Sequence, residues 1–303
     1  MTRMPFAHHR RAWLRGALMA GIGAWLGGGS VPVRAAPSVV ADARPVLPDA
    51  PALAAWVEQQ IQALGPAPWW LLGEQHDADA HQTLQVAVVR VLAGQGALAA
   101  VVLEMAERGR DSGSLRPDAP EEAVRQALAW HDAGWPWARY GPVVMAAVRA
   151  GVPVVGANLP RAQHHAVMAD ADWDTLLPAD GLHALERLID TAHCGVLPAA
   201  QLRPMARIQI ARDDSMAATL LAQHRPGRTV LLITGAQHAR RPYGVPLHLA
   251  RRAGPAAPAP RVVELVASDD APAALVPTAA ADALWLTPAV PPVDHCAGLR
   301  ARR

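Results

Sequence analysis

The sequence predicts an α/β protein, a mostly parallel sheet with helices on both faces and its site at the C-terminal edge of the strands. Two observations carry that prediction. Short apolar runs alternate with stretches of helical period, the pattern of strand–helix–strand units. Two of those runs also end in the same corner. Trp69–Leu72 runs into Gly73-Glu74-Gln75-His76-Asp77, and 162 residues later Thr229–Thr234 runs into Gly235-Ala236-Gln237-His238. Open α/β sheets bind ligands outside the carboxyl ends of their strands. Two Gly-x-x-His corners in one parallel sheet therefore bring two imidazoles to one edge.

Residues 1–35 read as an export signal. Arg3, Arg10, Arg11 and Arg15 make a basic start, Gly16–Gly27 is apolar, and Val33-Arg34-Ala35 offers a small-residue cleavage point. The pair Arg10-Arg11 ahead of the apolar stretch has the twin-arginine form. The apolar run is short and broken by glycines, a poor membrane span. A soluble periplasmic protein is the expectation. The whole chain carries +2, but this segment holds five arginines and no acid, so 23 basic residues face 26 acidic ones and the mature charge is near −3. That balance gives nucleic acid no electrostatic footing.

The remaining residues suit one large domain over 53–290, with a Pro- and Ala-rich flexible arm at 36–52 and a tail at 291–303. Leu53–Leu64 carries an apolar stripe and reads as a helix. Trp69–Leu72 is too short for a helix and reads as a strand; Gly73 lets the chain turn, and Asp77 serves as N-cap of a helix over Asp77–Leu92. Ala99–Leu103 is a strand ending in Glu104. Helices follow at Pro120–Trp130 and Pro142–Ala150, with an aromatic segment, Trp135–Tyr140, between them. Val152–Gly156 is a strand that leads to Asn158. Helices at Gly181–Cys194 and Met205–His224 precede the second corner strand, and Val262–Val266 and Ala283–Leu286 are the last strands. Cys194 and Cys296 could pair, closing a loop of about 100 residues with ~4–5 kcal/mol of stabilisation in the chain-entropy account. Two free thiols are the alternative, since no spacing sets their distance.

Four strand ends deliver polar groups to the edge: Glu74 with His76, Glu104 with Arg108, Asn158 with Arg161, and His238. Glu74, His76, Glu104 and His238 could hold a divalent metal and form the catalytic set of a hydrolase. Equally, one histidine could be a general base held by a carboxylate, with an arginine meeting an anion. A third arrangement is an internal salt-bridge network in which Glu104 and Arg108 form a helical pair. Gln209, Asp213 and Met216 share one helix stripe, which either lines the pocket or ties the acid to an arginine. His81 is expected at the pocket mouth. His164, His165, His183, His193, His224, His248 and His295 have no spacing that recommends them and read as surface or helix-end residues.

Several blocks carry a resemblance: Leu71–Asp77, Leu103-Glu104-Met105, Trp137-x-x-Tyr140-x-Pro142, Ala157–Arg161, Gln209-x-x-x-Asp213-x-x-Met216-Ala217, and Gly235–His238 followed by Gly244-Val245-Pro246. Taken in that order they resemble the ChaN family, which is similar to Tiki-type metal-dependent peptidases and, distantly, to erythromycin esterases. The resemblance implies an exported haem-binding protein serving haem or iron acquisition, with haem and an outer-membrane haem receptor system as partners and a homodimer left open. ChaN proteins are usually lipoproteins, and no lipid-accepting cysteine stands near the cleavage point here. Tyrosinate, imidazole and thioether are the usual protein ligands of haem. The mature chain has two tyrosines, and three of its eight tryptophans lie within eight residues beside one of them. On the family's pattern Tyr140 ranks first as haem contact and Tyr243 second, with Asn158, Arg161, Gln209 and Asp213 as the other cofactor-binding residues. The metal-dependent hydrolase is the alternative function.

Overall fold

A computed structural model of the protein describes residues 50–269, 279–291 and 293–297. The expected export signal, most of the expected arm and the end of the tail lie outside those residues. In chain order the elements are α1 (Ala50–Leu64), β1 (Trp69–Glu74), α2 (Asp79–Gly94), β2 (Leu98–Glu107), α3 (Glu121–Ala127), α4 (Trp137–Arg149), β3 (Val154–Asn158), α5 (His164–Ala169), α6 (Ala179–Ala192), α7 (Ala199–Ala222), β4 (Thr229–Gly235), α8 (Ala236–Ala239), α9 (Val245–Ala253), β5 (Arg261–Ala267) and β6 (Ala283–Thr287). The six described strands form one sheet in the order β3-β2-β4-β1-β5-β6, every neighbouring pair parallel.

Side chains alternate across a strand, and both faces of this sheet are covered, so β1 and β4 are buried along their whole length. Trp70 and Leu72 enter the core beneath α1, α2 and α4, with Leu84, Val88 and Val144. Trp69 and Leu71 enter the opposite core with Met216 and Leu220 of α7 and Val245 and Leu249 of α9. Neighbouring strands β1 and β4 thus send their following helices to opposite faces. That divergence opens a crevice between their carboxyl ends, where this class of sheet binds its ligands.

Several local expectations are corrected. β1 continues through Gly73 to Glu74, and β2 runs past Glu104 to Glu107. Glu104 is therefore a strand residue and cannot make a helical pair with Arg108. Asp77 does not cap α2: the N-cap is Ala78, and Asp77 Oδ1 instead accepts from the Gln75 amide at 2.9 Å. α4 begins five residues early, at Trp137, so Pro142 and Tyr140 lie inside it. Cys194 and Cys296 are disulfide-bonded, with Cα atoms 5.8 Å apart.

Candidate functional site

Each corner glycine makes room for the opposite corner. A Cβ on Gly73 would stand 2.9 Å from Ala236 Cα, and one on Gly235 would stand 2.9 Å from His76 Nε2. Neither glycine has a positive φ, so close approach explains them and backbone turning does not. This packing seats Glu74 and His76 against the end of β4.

Glu74 is buried and surrounded by donors. Its Oε2 accepts from the amides of Gln82 and Gln85 on α2, each at 2.5 Å. Its Oε1 accepts from the Tyr140 hydroxyl at 2.6 Å and from His76 Nδ1 at 2.8 Å. Arg139 secures the corner from outside, donating to the His76 backbone oxygen at 3.0 Å and to Asp79 at 2.8 Å. His81 is not at a pocket mouth. It is fully buried, its Nδ1 accepts the Gln75 backbone N–H at 2.9 Å, and burial lowers its pKa to about 4, so it is a neutral structural imidazole.

Glu104 lies between the two corners. Its Oε2 accepts from Thr234 Oγ1 and the Gly235 backbone N–H, both at 2.8 Å, and His238 Nε2 stands 3.5 Å from its Oε1. Burial alone would raise its pKa, but the facing imidazoles of His238 and His76 and these hydrogen bonds bring it down to about 2. His238, on α8, places Nδ1 2.6 Å from Asp213 Oδ1 of α7. Burial opposes its charge, yet Asp213 and Glu104 together raise its pKa to about 9. At neutral pH His238 is therefore an imidazolium held between two carboxylates. For His76, burial lowers and the Glu74 hydrogen bond with the charges of Glu104 and Glu74 raises, leaving its pKa above the ordinary value.

Glu74 with His76, and Glu104 with His238 and Asp213, are thus two bonded groups at one edge, coupled through the charge of His76 facing Glu104. The Asn158 amide supports the second group by donating to the Glu104 backbone oxygen at 2.9 Å. Arg161 is exposed, gives its backbone N–H to Glu107 at 2.9 Å, and is not among the residues lining the cleft. The cleft, about 660 Å³, is walled by residues 74–77, 235–238 and 264–267 and by His295. A second, more apolar recess of about 370 Å³ shares Gln237 and His238 and holds Gln209, Asp213 and Tyr243 beneath Leu185 and Leu188.

Neither tyrosine, each expected as a haem contact, presents an open phenol. Tyr140 is 1% exposed and Tyr243 8%; the first donates to Glu74, the second to Gln237 Oε1 at 2.6 Å. Burial, the Glu74 charge and its hydrogen bond push the Tyr140 pKa far up, away from phenolate. The tryptophans pack on one another, Trp130 against Trp137 at 5.0 Å, and Trp135 sets its ring 4.9 Å from that of His76. The divalent-metal reading is not supported either. Both Glu74 oxygens and Glu104 Oε2 accept protein hydrogen bonds, and Glu104 Oε1 faces the His238 imidazolium. Among the described residues no group of three or more His, Cys, Asp or Glu could hold a metal ion. With its pKa raised to about 9, His238 is also protonated at neutral pH and is no general base there.

Comparison with known proteins fits this frame. Residues 60–249 match the family described as haem-binding uptake, Tiki superfamily, ChaN. The chain belongs to the ChaN family. Its fold is similar to that of a solved ChaN, in the structure "Cofacial heme binding to ChaN of Campylobacter jejuni", with a TM-score of 0.60 and 23% identity over 74% of this chain and 89% of that one. At that identity the likeness speaks to the fold. No curated protein matches the chain. The ChaN match runs from α1 to α9 and includes both corners, while β5, β6 and His295 lie beyond it.

The donor set of the cleft fits haem through His76. That side chain is 41% exposed, against 13% for His238 and 4% for Glu104. Glu74 holds Nδ1, leaving Nε2 as the nitrogen for an iron, and such carboxylate–imidazole pairing is how proteins fix a ligating histidine. Gln82, Gln85 and Arg139, which build this setting, escaped the sequence reading. The spacing of Gln82 and Gln85, three residues apart on the helix after the first corner, was the available signal.

Proposed function

We propose that this ChaN-family chain binds haem in the cleft at the carboxyl ends of β1 and β4, with His76 as the iron ligand. The observation that carries the reading is His76 itself: an imidazole at the opening of the cleft, with one nitrogen fixed by Glu74 and the other left over. Imidazole is a usual axial ligand of haem. Haem would supply the iron and a large apolar face; the chain's part is to present Nε2, pack Trp135 beside it and keep both carboxylates occupied.

In this reading the protein is exported and serves haem or iron acquisition, with an outer-membrane haem receptor system and a second copy of the chain as partners. Export is supported by the basic and apolar start of the sequence. The Cys194–Cys296 disulfide supports it as well, because such bonds persist in oxidising compartments. Among the described residues no helix is long and apolar enough to cross a membrane.

The test is a haemin titration of the purified mature protein followed by absorption. A saturable Soret shift is expected. A spectrum that stays the sum of free haemin and protein would end the reading.

A further inference from the structure

The C-terminal segment lies outside the family match, yet it returns to the cleft. β6 is parallel to its neighbour β5, so it ends at Thr287 on the same edge as the two corners. The chain then reaches His295, which lines the cleft with His76 and Asp77, its Nε2 3.6 Å from Asp77 Oδ2. The next residue, Cys296, is bonded to Cys194 just past α6. The last turn of that helix and the following His193 line the apolar recess on the far side of Gln237 and His238. The disulfide therefore fastens the tail to the rim of the site. The His295 side chain is 72% exposed, so packing does not consume it. Its backbone is fixed in a turn, with its N–H on the Val293 oxygen at 3.0 Å and the Cys296 N–H on Asp294 Oδ1 at 3.0 Å.

We propose that His295 is a second haem-binding residue of this cleft, acting with His76, and that the Cys194–Cys296 disulfide positions it. The inference rests on the haem reading above. Two imidazoles then meet the ligand from separately anchored segments, one at the end of β1 and one on the tail. Because the bridge fixes the residue beside His295, little chain freedom is left to lose on binding, and prior ordering of this kind raises affinity.

The test compares haemin titrations of the full mature wild type, His295→Ala, and Cys194→Ser with Cys296→Ser. Wild type is expected to give a six-coordinate, low-spin ferric spectrum. His295→Ala should turn it five-coordinate and high-spin and weaken binding about tenfold or more, the scale of one lost contact. The serine pair should move spectrum and affinity the same way while His295 is still present. A His295→Ala protein with the wild-type spectrum and affinity overturns the inference and leaves the haem reading standing. Absence of haemin binding by wild type overturns both. Should the serine pair fail to fold, His295→Ala, at an exposed position, decides alone.

Discussion

Gly235 lies directly under His76, so that a Cβ at residue 235 would come within 2.9 Å of His76 Nε2 and 3.6 Å of Glu104 Oε2. One corner's glycine is the seat of the other corner's histidine. Gly235→Ala should displace the imidazole and weaken haemin binding at little cost in stability, because only the tip of a half-exposed side chain must give way. Gly73→Ala meets backbone, Ala236 Cα at 2.9 Å, and should destabilise by about 1–3 kcal/mol as overpacking does, without touching His76. Urea midpoints and haemin titrations of both variants check this. Unchanged haemin affinity in Gly235→Ala would contradict the proposed seat.

Glu74 gathers four side-chain donors in a buried place. Glu74→Gln keeps the shape but turns an amide NH₂ toward groups that need an acceptor. Leaving buried donors unpaired costs about 1–3 kcal/mol, more where charge is involved. The variant should melt lower and release His76 from its fixed orientation, so its haemin spectrum should broaden or weaken. Equal melting of variant and wild type would count against the carboxylate as the anchor.

The His238–Glu104 pair gives stability a pH window. Folding raises the His238 pKa from 6.5 to about 9, so its contribution is full below 6.5 and is lost as pH rises through 9. Folding lowers Glu104 from 4.5 to about 2, so its contribution is full above 4.5 and is lost as pH falls through 2. Together they stabilise most between those ordinary values. Denaturant midpoints measured against pH should show an alkaline decline that His238→Gln removes. If the variant declines as steeply as wild type, another group is responsible.

The sheet and both corners were legible because their signals are local. Trp69–Glu74 and Thr229–Gly235 are apolar runs closed by a glycine and a polar residue, and a fully buried parallel strand requires such a run. The partners of those corners were not legible. Gln82 and Gln85 face inward only because Glu74 waits there, and a helix with two inward amides reads as a weakly amphipathic one. His81 looked like a rim residue and is fully buried, its ring accepting the Gln75 backbone N–H. Tyr140 stood beside tryptophans as a ligand would, but Glu74 claims its hydroxyl from inside α4. His295 had no spacing to recommend it; a disulfide spanning 102 residues brings it near, and nothing local encodes that.

Export is tested apart from the fold. Arg10→Lys with Arg11→Lys should leave unprocessed precursor in the cytoplasm if the paired arginines are read by the twin-arginine route. Normal cleavage near Ala35 in that double variant would instead point to general secretion.

In the proposed complex His76, and neither phenol, meets the haem iron. This is tested most directly by haemin absorption titrations of His76→Ala and Tyr140→Phe beside wild type. His76→Ala should lose the six-coordinate spectrum and bind haemin more weakly. Tyr140→Phe, which removes one donor from Glu74, should keep the spectrum while melting at a lower temperature. The reverse pattern, with binding lost in Tyr140→Phe and intact in His76→Ala, would contradict the account.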